Sequence, residues 1–183
     1  MGWAADHPEI IRWAVTHLDL IAGLRNGNLK VIKRGPFRTI YNQAIGLRAL
    51  IKMAVGKKNV VNINRHLTPE HFKLAWTGIR AVNLRVEPLL DDETGEQAAA
   101  RLVAAGRTLA DVGDLACFMY DYPGEMRRWE WVFAISVSSR WADDGMGKTF
   151  VPFASVRGAH REFKLFFFNN PLNRQSHGIL VCE

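Results

Sequence analysis

The chain has few acidic residues over a long stretch near its N-terminus. Between residues 25 and 80 there are twelve lysines and arginines but a single acid, Glu70. Residues 81 to 125 reverse this balance, with nine acids and three arginines. The positive charge is therefore concentrated in the N-terminal half, which predicts a polyanionic or acidic binding partner.

Cysteine is also scarce, and long apolar runs are missing. Cys117 and Cys182 are the only two cysteines, and neither lies in a C-x-x-C or Cys/His ligand spacing. This argues against a disulfide framework and a zinc ribbon, and favours a reduced, cytoplasmic location. Residues 1 to 6 lack the basic and apolar character of a signal peptide, and no apolar run approaches the roughly 18 residues that cross a bilayer. We therefore expect a soluble protein with no membrane partner.

The composition is that of an ordinary globular protein. Its 183 residues are 48% hydrophobic and 23% charged, which is enough to bury a sizeable core. No repeat, low-complexity tract or flexible linker divides the chain. We predict a single domain over 1–183, with a helical subregion at 1–122 and a strand-rich subregion at 126–183. The oligomeric state is left open.

The N-terminal two thirds of the sequence show mainly helical spacing of apolar residues. This spacing predicts helices over 7–24, 37–55 and 96–105, a further one over 108–120, and a third helix in chain order that starts near Thr68 and takes Phe72, Ile79 and Val82 into its core. A short β-capable segment at 28–34 and a cationic loop at 57–65 separate the first helices. The two helices after residue 95 superficially suggest a helix-turn-helix, but their net negative charge favours an ordinary packed pair.

After Pro123 and Gly124 the pattern changes to an alternation of apolar and small or polar residues. This alternation predicts a strand over about 129–138, followed by strands over 148–157, 161–168 and 178–182. The predicted fold class is α+β, with an N-terminal layer of about five helices packed on a C-terminal antiparallel sheet of about four strands.

Two short motifs bear a weak resemblance to catalytic elements. The segment 145–149 ends like a Walker A loop, but Ala142 stands where that loop needs its first glycine, so a hairpin turn is favoured. His66-Leu67-Thr68 has the H-x-T form of two-histidine phosphoesterases, which need a second such element to supply both an acid and a base. The sequence has no second element, although His160 or His177 could supply a partner across space. Thr68 is better explained as a helix N-cap.

Metal and cofactor sites are not predicted either. His66 and His71 are five residues apart, which is not the i, i+4 spacing of a zinc helix, and no carboxylate near them has a ligand spacing. Cys117 lies on an apolar helical face, where a thiol usually packs. We therefore expect no catalytic residue, no metal and no cofactor.

Nucleic-acid binding is the function that the charge pattern favours. Lysines and arginines bind the phosphate backbone largely without regard to sequence. The basic N-terminal surface is predicted to carry the contacts, through residues Lys30, Lys33, Arg34, Arg38, Lys57, Lys58 and Arg65. Phe166, Phe167 and Phe168 lie on a predicted strand, and one face of that strand could also offer a stacking platform for bases. Burial of both faces of the strand is the simpler interpretation.

Two alternatives stay open. The same cations could bind an acidic protein surface, which would make the chain an inhibitor, adaptor or assembly subunit with Trp3 and Trp141 as anchors. The second alternative is a phosphodiester-processing enzyme that uses His66.

Overall fold

Strands dominate the structure. The computed structural model describes residues 36–42, 45–56, 60–75, 78–143, 145–171 and 176–183, which belong to one compact unit. Over these residues there are nine strands and four α-helices. In chain order they are β1 (Phe37–Asn42), α1 (Leu47–Val55), β2 (Val60–Ile63), β3 (Ile79–Pro88), α2 (Gly95–Ala104), β4 (Thr108–Leu109), α3 (Val112–Asp121), α4 (Pro123–Met126), β5 (Trp131–Phe133), a 3₁₀ turn (Val137–Ser139), β6 (Trp141–Asp143), β7 (Lys148–Arg157), β8 (His160–Phe167) and β9 (His177–Cys182).

The nine strands form one mixed sheet. Its order is β1-β3-β9-β5-β7-β8-β2, with β4 also paired to β9 and β6 to β7. β5 is parallel to β9 and β2 is parallel to β8, whereas the other pairs are antiparallel. All six residues of β9 are buried. β9 therefore joins the two halves of the sheet at its centre.

Apolar side chains leave the sheet on both faces. Val132 and Leu180 point into a core that contains α1 and α3, whereas their chain neighbours Phe133 and Ile179 point into a second core that contains α2. This follows from the alternation of side chains along a strand. Helices therefore cover both faces of the sheet, and the predicted single helical layer on one face is wrong.

Two helices start at the N-cap motifs that their sequences carry. The Thr94 hydroxyl accepts a hydrogen bond from the Gln97 amide and the Gln97 side chain accepts one from the Thr94 amide, so this pair forms a capping box at the start of α2. Asp111 and Asp114 form the equivalent box at the start of α3. Such boxes satisfy amides that a helix leaves without internal partners.

The predicted fold class is contradicted by this architecture. Instead of about five helices on about four antiparallel strands, the described residues form a large mixed sheet of nine strands with four helices. Two predicted helices account for most of the error. The predicted first helix (7–24) and the β-capable segment at 28–34 lie outside the described residues.

The predicted helix 37–55 begins as a strand. In β1 the side chains alternate between buried and exposed, with Phe37, Thr39 and Tyr41 inside. The helix α1 starts only after Gly46, whose φ of 82° suits glycine and separates the two elements. Apolar residues in β1 and α1 happen to continue one helical spacing, which hid the boundary.

The third predicted helix is also wrong. Residues 68–75 form turns, and Ile79 opens strand β3, where it is 79% exposed rather than part of a helical core. Thr68 therefore does not cap a helix. Pairing of β3 with both β1 and β9 outweighs the local helical spacing, as tertiary context commonly does.

The C-terminal strands were predicted more accurately. β7 has the predicted bounds, and β8 and β9 lie within one residue of them. The predicted strand 129–138 is reduced to β5 and is followed by a 3₁₀ turn at Val137, which is 79% exposed. The 145–149 segment is a hairpin turn between β6 and β7, as expected.

A buried carboxylate, Asp114, links several elements beneath the sheet. Tyr41 of β1 donates its hydroxyl to Asp114 Oδ1 at 2.6 Å, and Arg80 of β3 donates to Oδ2 at 3.1 Å. The Asp111 amide donates to the same carboxylate at 3.0 Å, and the Cys182 thiol of β9 lies 3.7 Å from Oδ2. Asp114 is fully buried, so these contacts replace its hydration.

This environment disfavours the charged form of Asp114. Burial raises the pKa of its carboxyl and the negative charge of Asp111 raises it further, against the hydrogen bond from Tyr41 and the positive charge of Arg80. A pKa that is higher in the folded than in the unfolded chain gives stability that is complete below the unfolded value and is lost as pH rises through the folded value. Arg80 limits that loss by keeping a cation beside the carboxylate.

Replacing this carboxylate should destabilise the whole fold. We expect Asp114→Ala to lower the free energy of unfolding by about 3 kcal/mol or more, because it leaves Arg80 and Tyr41 without their buried acceptor. Urea denaturation followed by circular dichroism measures the change. The exposed Asp91 is the matched control, and Asp91→Ala should alter stability by no more than about 0.5 kcal/mol. Equal effects of the two variants would contradict the central role of Asp114.

Gly178 at the start of β9 is a second sensitive position. A Cβ at this residue would overlap Val86 Cγ1 and lie 3.0 Å from Cε3 of Trp129. We expect Gly178→Ala to cost about 2 kcal/mol of stability, which is typical of overpacking. The control is Gly124→Ala in α4, where nothing lies within 4 Å of the added methyl group. Thermal melting of both variants measures the difference, and an unchanged melting temperature for Gly178→Ala would contradict the tight packing.

Some expectations extend past the described residues. The predicted single domain includes residues 1–35, which lie outside them, so it stays a prediction. In the part of the chain that the structure describes, every helix falls short of the length and apolar character that a bilayer crossing requires.

Candidate polyanion-binding site

Three cations, Arg48, Lys52 and Arg65, surround one pocket beside the edge of the sheet, which we name the cationic pocket. The pocket has a volume of about 210 Å³ and lies between α1 and the segment that follows β2. Arg48 and Lys52 come from α1, where their i, i+4 spacing puts both on one helical face, and Arg65 comes from the opposite wall. All three are exposed. The pocket is lined by Arg48, Ile51, Lys52, Ile63, Asn64, Arg65, Leu67 and Thr68, a set that contains no acid.

The turn after β2 directs Arg65 toward solvent. The Asn64 amide donates to the Phe163 carbonyl at 2.9 Å, which extends the pairing of β2 with β8 by one residue. The Asn64 side chain then accepts from the His66 amide at 2.9 Å, and its carbonyl accepts from the Leu67 amide at 3.1 Å. Asparagine favours such turns because its side chain replaces a backbone acceptor. Arg65 is the exposed residue of this turn.

One carboxylate stands close to the pocket without lining it. The pKa of Glu70 is lowered by a hydrogen bond from the Thr68 side chain, by its own backbone and by the positive charge of Arg48. Glu70 is exposed, so solvent screens its attraction for Arg48. The pocket therefore keeps an excess of positive charge.

A second pocket continues the first along β2. It has a volume of about 530 Å³, it shares Lys52 and Ile63 with the first pocket, and it is also lined by Val61 and Gly56. β2 is the last strand of the sheet order, and among the described residues it pairs only with β8. Val61 and Ile63 are 40% and 38% exposed. An extended groove with a cationic rim therefore follows this edge of the sheet.

More positive charge lies beside β2 on the neighbouring strand. Arg161 of β8, which is paired with Val61 across the parallel strands, donates to the Ala54 carbonyl at 2.6 Å. Burial of the Arg161 guanidinium lowers its pKa, and the nearby charge of Arg127 lowers it further. Two arginines are thus held near each other close to β2.

A column of aromatic rings stands next to the cationic pocket. His71 stacks on Trp141 with ring centroids 4.2 Å apart, and His66 stacks on the same indole at 5.1 Å. Trp141 is paired across strands with Phe150, whose ring centroid lies 5.2 Å away, and Phe150 is paired with Phe167 at 4.9 Å. All five rings are half-buried. We name these residues (His66, His71, Trp141, Phe150 and Phe167) the ring column.

A hydrogen bond connects the pocket with the ring column. Arg65 Nε donates to His66 Nε2 at 3.1 Å. Because an arginine nitrogen can only donate, Nε2 of His66 is the unprotonated acceptor. His71 Nδ1 lies 2.9 Å from the His66 carbonyl oxygen, so Nδ1 of His71 carries its proton. The cation and the first ring are therefore held in a defined mutual orientation.

The predicted nucleic-acid-binding residues fall in different places. Lys30, Lys33, Arg34, Lys57 and Lys58 lie outside the described residues. Arg65 lines the cationic pocket, whereas Arg38 on β1 is at the opposite end of the strand order and lines a separate pocket of about 290 Å³ with Glu183. The structure therefore does not bring Arg38 and Arg65 to one pocket.

The prediction missed two members of the site, Arg48 and Lys52. Their i, i+4 spacing within the predicted helix 37–55 already places both on one helical face. The sequence could not show that this face lies across a pocket from Arg65. Trp141, predicted to be an anchor for a protein partner, is half-buried in the ring column, and Trp3 lies outside the described residues.

The structure also shows where the residues of the H-x-T motif, the helix-turn-helix and the candidate metal ligands lie. His160 and His177 were the candidates to partner His66 across space. His160 opens β8 opposite Val60, and His177 is buried against Trp131 with ring centroids 4.4 Å apart, whereas the ring contacts of His66 among the described residues are to His71 and Trp141. α2 and α3 pack on opposite faces of the sheet, which excludes the helix-turn-helix. No group of three or more His, Cys, Asp or Glu side chains could hold a metal within the described ranges.

The side chains of Phe166, Phe167 and Phe168 alternate between the two faces of the sheet, as consecutive residues of an extended chain do. Phe167 belongs to the ring column, whereas Phe166 contacts Trp131 on the other face at 5.5 Å. Phe168 is buried beneath the Arg140 guanidinium. Only Phe167 shares a face with the cationic pocket.

No family model, curated protein or solved structure matches this chain. What the site binds must therefore follow from its own charge, shape and ring chemistry.

Proposed function

We propose that this protein binds nucleic acid through its phosphate backbone at the cationic pocket. The observation that carries the proposal is the convergence of Arg48, Lys52 and Arg65 on one pocket whose lining contains no acid. The exposed carboxylate of Glu70 lies near Arg48 but outside the pocket lining, so the three cations still repel one another, and a phosphate in the pocket relieves that repulsion. Binding is non-enzymatic and largely independent of sequence.

The groove along β2 supports a ligand longer than a single phosphate. Lys52 lines both pockets, so a backbone lying in the first can continue into the second. Arg161 on β8 and the nearby Arg127 add positive charge beside β2. Lys57 and Lys58, which precede β2 in the sequence, are further proposed contacts. Each neutralised phosphate releases counterions, which makes such binding steeply dependent on salt.

The polar groups of the pocket suit phosphate and sugar oxygens. Arginine offers several donors in one plane and binds phosphate through two of them at once. Asn64 and Thr68 line the same pocket and add uncharged polar groups. Contacts of this kind position a backbone without reading its bases.

A cytoplasmic location is part of the proposal. Cys117 and Cys182 are both buried free thiols, which is common in reducing compartments. An acidic protein surface would be attracted by the same cations, and direct titration with oligonucleotides separates the two partners. A phosphate-bound ligand loses affinity steeply as salt rises, whereas an interface centred on aromatic anchors does not.

Charge reversal at the pocket should weaken binding. We expect Arg65→Glu to reduce the affinity for short DNA and RNA oligonucleotides about tenfold and to lower the salt slope by about one, because one phosphate contact is lost. Arg48→Glu should act in the same direction. Fluorescence anisotropy titrations from low to physiological salt measure both quantities.

The matched control is Arg38→Glu, which makes the same charge change on an exposed residue of the separate pocket. We expect it to alter affinity about twofold at most through the long-range field. If Arg38→Glu weakens binding as much as Arg65→Glu, the cationic pocket is not the binding site. If the native protein binds no nucleic acid at physiological salt, the proposed function is rejected and an acidic protein becomes the expected partner.

A further inference from the structure

We propose that the bound nucleic acid is single-stranded and that one of its bases stacks on the His66 imidazole. This inference rests on the proposed function and names the form of its ligand. The observation behind this inference is the ring column, because the binding of phosphates alone needs no aromatic rings.

The ring column has one end that can accept another ring. The centroids of His66 and His71 lie 5.7 Å apart, too close for the two imidazoles to stack on opposite faces of Trp141. Phe150 contacts Trp141 with ring centroids 5.2 Å apart and has no ring contact with either imidazole among the described residues. From the indole, the column therefore continues through Phe150 and away from the two histidines.

The far end of the column is closed by a cation. The Lys148 ammonium lies 4.4 Å from the centre of the Phe167 ring. At the near end, the ring contacts of His66 within the described residues are to His71 and Trp141. A flat base can extend the column at the outer face of His66.

Arg65 makes this end suitable for a nucleotide rather than for any aromatic group. Its Nε meets His66 at a ring nitrogen, and a hydrogen bond to that nitrogen lies in the plane of the imidazole. The bond itself therefore does not cover the ring face, and it holds a guanidinium beside the ring. One nucleotide can then place its base on the His66 ring and its phosphate in the cationic pocket.

A duplex does not fit this arrangement as well. Bases inside a duplex are stacked on one another and present no face to a protein ring, whereas single strands stack their bases on aromatic side chains in just this way. Single-stranded DNA and RNA share the chemistry that the column recognises. The backbone of a single strand can then follow the edge of the sheet along β2.

Three measurements test the inference. The native protein should bind a short mixed-sequence single strand about tenfold more tightly than the same sequence as a duplex, and about tenfold more tightly than an abasic strand that keeps only sugars and phosphates. His66→Ala should remove most of both preferences, and His66→Phe should restore them because it keeps a ring. A strand that contains 2-aminopurine should lose fluorescence on binding to the native protein but much less on binding to His66→Ala.

The outcomes are distinguishable from failure of the proposed function. Equal affinity for the single strand, the duplex and the abasic strand would overturn base stacking, while a continuing effect of Arg65→Glu would leave nucleic-acid binding in place. Absence of any binding would overturn both. Since the abasic comparison uses the native protein, it decides the matter even if a His66 variant does not fold, which circular dichroism would reveal.

Discussion

The buried carboxylate of Asp114 is the constraint on which the rest of this structure depends. A carboxylate removed from water has to be surrounded by donors, and here the donors come from separate parts of the chain: Tyr41 on β1, Arg80 on β3 and the first turn of α3. The same first turn receives the Ala75 amide through Asp111 at 3.1 Å. Satisfying the two carboxylates Asp114 and Asp111 therefore fixes the positions of two strands, a helix and the segment that leads from the candidate site into β3.

The order of elements around this centre explains which parts of the fold could be predicted from the sequence. β7, β8 and β9 have continuous β-forming sequences between clear turns, so their local signal and their final state agree. β1 and β3 carry apolar residues at spacings that also fit a helix. Their state is decided by the pairing of β1 with β3 and of β3 with β9, which is distant in sequence. A pattern of local spacing contains no information about such a partner.

The sequence predicts part of the candidate site but not how its residues are arranged. An excess of positive charge before residue 80 was plain, and Arg65 belongs to the cationic pocket. Sequence proximity could not show that Arg38 is carried to the other end of the sheet, because that depends on the strand order. The ring column was out of reach for the same reason, since His66, Trp141 and Phe167 meet only through the pairing of β6, β7 and β8.

The central position of β9 has a consequence for how the chain acquires its structure during synthesis. Among the described strands β9 comes last, yet β3 and β5 pair with it and not with each other. Until β9 leaves the ribosome, each half of the sheet exposes an unpaired apolar edge, a state that invites association with other chains. The two halves have to wait for the last of the described strands. Co-translational protection by a chaperone would therefore matter more for this topology than for one assembled strand by strand.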